Sequence, residues 1–132
     1  MANRRMFSKR VSGTRRFRRM TPAARLLYYE LGLAADDDGF VEGYDVCAAN
    51  GIAETYLDEL AEKRYICEIN NDGLCWITCW NENNYIQADR YHKSPYNYLL
   101  ADLRSMYPLE DVFMDTVKNN VIQLAVKPEK AW

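Results

Sequence analysis

The chain has 132 residues and a formal net charge of -2, with 48% hydrophobic and 27% charged residues. These values predict one soluble globular domain and exclude an intrinsically disordered or fibrous protein. No window reaches the roughly 18 apolar residues that a membrane-spanning helix needs, so we expect no membrane partner.

The net charge conceals a strongly basic N-terminus. Residues 1–29 contain nine of the 17 Lys and Arg residues and none of the 19 Asp and Glu residues. We interpret residues 1–20 as a basic arm that holds a polyanion, most simply nucleic acid. Apolar residues interleave with these cations, so the alternative is that they anchor the segment while the arginines neutralise acidic residues elsewhere. The nine cations are Arg4, Arg5, Lys9, Arg10, Arg15, Arg16, Arg18, Arg19 and Arg25.

The first clear helix follows the arm. Thr21 is a typical N-cap, Pro22 suits the first helical position, and an apolar stripe extends the helix to Leu33. The run Asp36–Asp38 before Gly39 ends it. A calcium loop needs acidic ligands at alternate positions and a distal glutamate, so we predict a solvated turn instead.

A short strand and two helices come next. Phe40 and Val41 predict the strand, and residues 44–50 predict a weak helix that stops at Gly51. Residues 53–64 form a firmer amphipathic pattern. Two helices this close together are typical of a helix-turn-helix.

A hairpin signal completes this pattern. Residues 65–69 and 74–80 are rich in strand-forming residues, and the sequence Asn-Asn-Asp-Gly at 70–73 separates them. The order of elements predicts an α+β fold, a winged helix-turn-helix with a β-hairpin wing. We assign residues 21–93 to this domain.

Residues 94–132 form the predicted C-terminal extension. Ser94-Pro95 resembles a helix start, and Pro108 interrupts the apolar pattern that follows. We expect a second short helix at residues 109–118 and a final strand or extended tail at 121–126.

Three segments resemble a known family. They are Met1 to Lys9 (MANRRMFSK), Ala35 to Val41 (ADDDGFV) and Asn84 to Tyr91 (NYIQADRY). In this order they resemble the N-terminal domain of phage replisome organisers, which are related to the bacterial primosome component DnaD. The resemblance implies a phage or prophage winged-helix protein that binds DNA and assembles replication proteins in the cytoplasm of a bacterial host.

The predicted recognition helix is acidic rather than basic. Its carboxylates would meet phosphates unfavourably, so we expect a protein-interaction face, with nucleic-acid-binding residues at its basic end. Further cations with neighbouring tyrosines follow the hairpin, where they would extend the nucleic-acid surface or simply pack. The acidic residues are Glu54, Asp58, Glu59 and Glu62, the basic end is Lys63 and Arg64, and the later residues are Arg90, Lys93, Tyr85, Tyr91 and Tyr96.

No pattern indicates catalysis, a metal or a cofactor. The four cysteines form no closely spaced pair, and His92 is the single histidine. Cys75, Ile77 and Cys79 alternate along a predicted strand, so we expect them to be buried. We expect His92 to be an exposed surface residue rather than a catalytic base.

Three hypotheses follow from these observations. The first is a non-enzymatic replication adaptor that holds DNA or RNA with its arm and contacts host or phage replication proteins, or further copies of itself, with its body. The second is a phage-encoded inhibitor of the anti-CRISPR type, which would bind a host CRISPR nuclease complex or its guide RNA. The third is a remnant oligomerisation module.

Overall fold

The computed structural model describes residues 5–70, 72–84, 86 and 88–108. They form an α+β domain built on a three-stranded antiparallel sheet, as the fold class predicts. Among these residues, no helix is long and apolar enough to cross a membrane. In chain order the elements are α1 (Lys9–Ser12), α2 (Arg15–Arg18), α3 (Pro22–Ala34), β1 (Phe40–Glu42), α4 (Gly43–Asn50), α5 (Thr55–Glu62), β2 (Ile66–Glu68), β3 (Leu74–Ile77), α6 (Trp80–Asn83), a 3-10 turn (Asn97–Leu99) and α7 (Leu100–Met106).

Helix α3 begins where the sequence predicts. The Thr21 hydroxyl accepts a hydrogen bond from the Ala24 backbone N at 3.2 Å, and Pro22 occupies the first turn. Leu27 and Leu31 of the predicted apolar stripe are fully buried, whereas Leu26 and Leu33 are 50% and 57% exposed, so only part of the stripe faces the core. The N-cap prediction is confirmed.

Helices α4 and α5 lie where the sequence predicts two helices. Gly51 ends α4 in the left-handed conformation with φ 64°. Helix α5 is two residues shorter at each end than predicted. It ends because Arg64 also adopts a left-handed conformation, with φ 69°, and the following N–H of Tyr65 bonds back to the Leu60 carbonyl at 2.9 Å.

The sheet has the strand order β1-β3-β2, with Phe40 opposite Trp76 and Ile66 opposite Ile77. In the turn between β2 and β3, the Asn70 side-chain oxygen accepts from the Leu74 N at 3.1 Å. The hairpin prediction is confirmed.

The predicted end of the third strand is wrong. Strand β3 stops at Ile77, and Trp80 begins α6. The Trp80 indole N–H donates to the Asp37 carbonyl at 2.8 Å, which holds the chain in a turn. Cys79 is buried as predicted, but it lies beyond the strand.

The core lies on both faces of the sheet. On one face Cys75 packs with Leu27 of α3 and Leu57 of α5. On the other face Trp76 packs with Leu103 of α7. Because successive side chains of β3 point to opposite faces, all four of its residues are buried.

Both core clusters cross the boundaries suggested at residues 20 and 93. Val11, Phe17 and Met20 belong to the first cluster, and each is at most 3% exposed. Leu100 and Leu103 belong to the second. The basic segment and the start of the extension are therefore packed parts of one body. The helix predicted at 109–118 and the strand at 121–126 lie outside the described residues.

Candidate nucleic-acid interface

The basic N-terminal segment folds as two single-turn helices held by their own caps. The Ser8 hydroxyl accepts from the Arg10 N at 3.1 Å, and the Thr14 hydroxyl accepts from the Phe17 N at 3.1 Å. The Phe17 ring lies against Tyr28 and Tyr65, with centroid distances of 5.3 and 5.5 Å. These contacts support the alternative that the apolar residues anchor the segment.

With the apolar residues of this segment buried, most of its cationic side chains face solvent. Arg18 donates to the Gly13 carbonyl at 2.6 Å, a bond that links the two helices at the surface. No acidic residue occurs between residues 5 and 29, so the positive charge here is not neutralised from within the segment. We define the basic surface as the exposed side chains of Lys9, Arg10, Arg15, Arg18 and Arg19.

Arg16 joins this surface to helix α5. Its guanidinium donates to the Lys63 carbonyl and lies 4.9 Å from the centroid of the Tyr65 ring. Lys63 is exposed, which keeps it as a candidate phosphate ligand. Arg16 and Arg25 are half-buried, so they are less accessible to a phosphate than the sequence suggested.

The structure corrects the assignment of Arg5 as a nucleic-acid ligand. Its side chain is 4% exposed and lies 3.3 Å from the Asp37 carboxylate. It also donates to the Ala35 carbonyl at 2.6 Å and stacks over the Trp80 ring. A buried ion pair in this position fixes the N-terminal segment to the turn after α3. Arg4 lies outside the described residues.

Arg64 is also buried rather than available to phosphates. It is 9% exposed, its guanidinium donates to the Met106 carbonyl at 3.0 Å, and it lies 4.5 Å from the Tyr107 ring centroid. Its role is therefore to attach the end of α7 to the end of α5. The sequence missed this because the partners are 42 residues apart.

The predicted solvated turn at Asp36–Asp38 is wrong. Asp37 and Asp38 are 3% and 7% exposed. The Asp37 carboxylate accepts from the His92 backbone N at 3.0 Å in addition to pairing with Arg5. The Asp36 carboxylate accepts from the Phe40 N at 3.0 Å, which closes the turn. Nothing near these residues in the sequence marks such distant partners.

Asp38 organises the segment after the hairpin. Its carboxylate accepts from the Tyr91 hydroxyl at 2.7 Å, the Ser94 N at 2.8 Å and the Asn97 amide at 3.2 Å. Burial and the bond to Asp38 raise the pKa of the Tyr91 hydroxyl to about 12, so it donates at neutral pH.

Tyr91 bonds to Asp38 but remains 38% exposed, so it stays a candidate stacking group. Tyr96 packs on Phe40 at a ring distance of 5.6 Å, and Tyr85 lies outside the described residues. Arg90 and Lys93 are exposed, which keeps them as candidate phosphate ligands.

Helix α5 presents an acidic surface. Glu54, Asp58 and Glu62 are exposed. Burial, followed by the charge of Asp58 and a hydrogen bond to it, raises the pKa of Glu68 on the adjacent strand. These carboxylates would repel phosphates.

Glu59 differs from the other three acidic residues, Glu54, Asp58 and Glu62. Its carboxylate accepts from the Thr21 N at 3.0 Å and from the Thr21 hydroxyl at 2.8 Å. It thus fixes the start of α3 rather than offering itself to a partner.

The side chains with metal or nucleophile chemistry are dispersed or inert in the described part of the chain. No group of three or more His, Cys, Asp and Glu residues there could hold a metal ion. Burial raises the pKa of both Cys67 and Cys75 to about 12, so these thiols stay protonated. The His92 side chain is 69% exposed, as predicted, and its Nδ1 lies 4.0 Å from the Asp37 carboxylate.

Comparison with family models, curated proteins and solved structures found no match for this chain.

Proposed function

We propose that the protein is a non-enzymatic nucleic-acid-binding adaptor that grips the phosphate backbone with its basic surface. The observation that supports this most directly is the burial of Val11, Phe17 and Met20, which anchors the two short helices. Anchored cations lose less conformational entropy on binding than cations on a free chain, so the same charges bind phosphates more tightly. Arginine also suits phosphate through its paired donors.

The fold proposed for this adaptor is a winged helix. Helices α3, α4 and α5 and the hairpin β2–β3 occur in the order of that fold, and β1 completes the sheet beside β3. In this scheme α5 occupies the place of the recognition helix. Its exposed acids favour a protein partner there, such as a replication protein, in agreement with the resemblance to phage replisome organisers.

The test of backbone binding is a charge-removal experiment. Changing Arg15, Arg18 and Arg19 to alanine should weaken binding of both duplex and single-stranded DNA by a similar factor for every sequence, because phosphates carry no sequence information. Fluorescence anisotropy at low salt measures the affinity. A second variant with Arg90 and Lys93 changed to alanine tests the other cations, and it should lose less. If the wild-type protein binds neither DNA nor RNA at low salt, the proposal fails.

The acidic surface of α5 also supports a second candidate, an inhibitor of the anti-CRISPR type. Glu54, Asp58 and Glu62 would fit a basic groove of a host CRISPR nuclease that normally holds nucleic acid. Changing these three residues to lysine should abolish capture of the nuclease complex in a pull-down, while the basic-surface variant should retain it. Failure of the wild-type protein to retain any such complex would eliminate this candidate.

A further inference from the structure

A cleft of about 370 Å³ lies between the Asp37–Asp38 turn, α6 and α7. This volume is large enough for a ligand of the size of a nucleotide. Amide groups of Asn81 and Asn84, the apolar side chains of Ile86 and Leu100, and the exposed guanidinium of Arg104 contribute to its lining. The lining thus combines hydrogen-bonding groups with apolar surface.

Asn84 carries an unused hydrogen-bond donor. The residue is 7% exposed, and its side-chain oxygen accepts from the Met6 backbone N at 2.8 Å. That bond fixes which end of the amide is the nitrogen. The nitrogen Nδ2 is buried and, among the described residues, has no hydrogen-bond partner. Since an unmade buried hydrogen bond is costly, the donor indicates a missing acceptor.

The charges of the cleft favour a neutral group in its interior. Asp38 already accepts several hydrogen bonds, and Asp37 is paired with Arg5. Two buried carboxylates would nevertheless repel a phosphate placed beside them. The one exposed cation among the lining groups, Arg104, would suit a phosphate outside.

Two hydrogen bonds tie the wall of the cleft to the chain that leads into the basic surface. The Ser8 backbone N donates to the Asn83 side chain at 2.7 Å, and Met6 makes the corresponding bond to Asn84. Ser8 is also the N-cap of α1, so Lys9 follows directly. The amide-lined wall therefore adjoins the residues that directly precede the basic surface.

We infer that the cleft receives one unstacked base of a single-stranded nucleic acid whose phosphates lie on the basic surface. Base edges offer acceptors for Asn84 Nδ2, and side-chain amides are suited to reading them. The inference rests on the proposed function, because the cleft alone supplies little positive charge.

The experiment compares two single strands of equal length, one of ordinary sequence and one with abasic sites throughout. Wild-type protein should bind the abasic strand roughly tenfold more weakly, the loss expected for one or two base contacts. Asn84→Asp keeps the acceptor for Met6 and removes the donor, so it should bind both strands almost equally. Asn50→Asp makes the same charge change at an exposed position on α4 and should keep the full preference for the ordinary strand.

The outcomes separate the two proposals. Equal binding of both strands by wild-type protein overturns the cleft as a base site and leaves backbone binding intact. Binding of neither strand overturns both. An unchanged preference in folded Asn84→Asp, checked by circular dichroism, also overturns the inference. The comparison of strands on the wild-type protein does not depend on any variant folding.

Discussion

Helices α1 and α2 and helix α5 meet on one domain but carry opposite charges. Arg16 bonds to the carbonyl of Lys63 at the end of α5, so the two regions are neighbours. The cations of α1 and α2 other than Arg16 are exposed, whereas the exposed charges in and just before α5 are the carboxylates of Glu54, Asp58 and Glu62. Under the proposed function, the basic helices contact DNA and the helix in the recognition-helix position does not.

The comparison requires first that the basic helices belong to the fold. Phe17→Ala should lower the free energy of unfolding by about 3–5 kcal/mol, because it removes a buried ring packed on Tyr28 and Tyr65. Urea denaturation measures the change. Leu26→Ala, at a side chain that is 50% exposed, is the control and should cost much less. A loss below about 1 kcal/mol for Phe17→Ala would mean that the segment is a detachable arm after all.

Within the basic segment, we expect some cations to stabilise the fold and others to bind DNA. Arg5→Ala should lower stability by about 3 kcal/mol, because it leaves the buried Asp37 carboxylate without its charge partner. Arg15→Ala should change stability by no more than about 0.5 kcal/mol and should weaken DNA binding instead. Thermal unfolding and anisotropy on both variants measure this division. Equal effects of the two changes on stability would contradict it.

The carboxylates of α5 should likewise differ in how much they contribute to stability. Glu59→Ala should cost about 1 kcal/mol, because Thr21 loses both of its hydrogen bonds to that carboxylate. Glu62→Ala, at an exposed position on the same helix, should be neutral within about 0.5 kcal/mol. Chemical denaturation of both variants tests this, and a neutral Glu59→Ala would show that the carboxylate is free for a partner.

The smallest expected effect is the pH dependence of stability that Glu68 causes. The pKa of Glu68 is raised in the folded state, so folding binds its proton more tightly and stability falls as pH rises through that pKa. Glu68→Gln should therefore be more stable than wild type at neutral pH. The difference should vanish below the ordinary Glu pKa of about 4.3. A variant that is less stable at neutral pH would have the opposite sign and would contradict this.

Local signals in the sequence predicted much of the fold. The Thr21-Pro22 helix start, Gly51 and the hairpin turn all depend on residues within a few positions of one another. The interleaved apolar residues of the basic segment were visible too, although they left anchoring and a free arm as alternatives.

Contacts between distant residues could not be predicted in this way. Asp37 and Asp38 had the appearance of a solvated turn because their partners lie more than 30 residues before or more than 50 residues after them. Arg5 and Arg64 were assigned by charge alone, although each is buried with a partner far along the chain. The cleft beside Asn84 is bounded by residues that are equally far apart along the chain, so no local pattern indicated it.

The most direct test of the basic surface is the salt dependence of DNA binding. The logarithm of the association constant should fall linearly with the logarithm of salt concentration, with a slope of about -0.9 per duplex phosphate engaged. The variant with Arg15, Arg18 and Arg19 changed to alanine should have a shallower slope by roughly 2 to 3 units. A slope near zero for wild type, or the same slope for both proteins, would contradict binding through the basic surface.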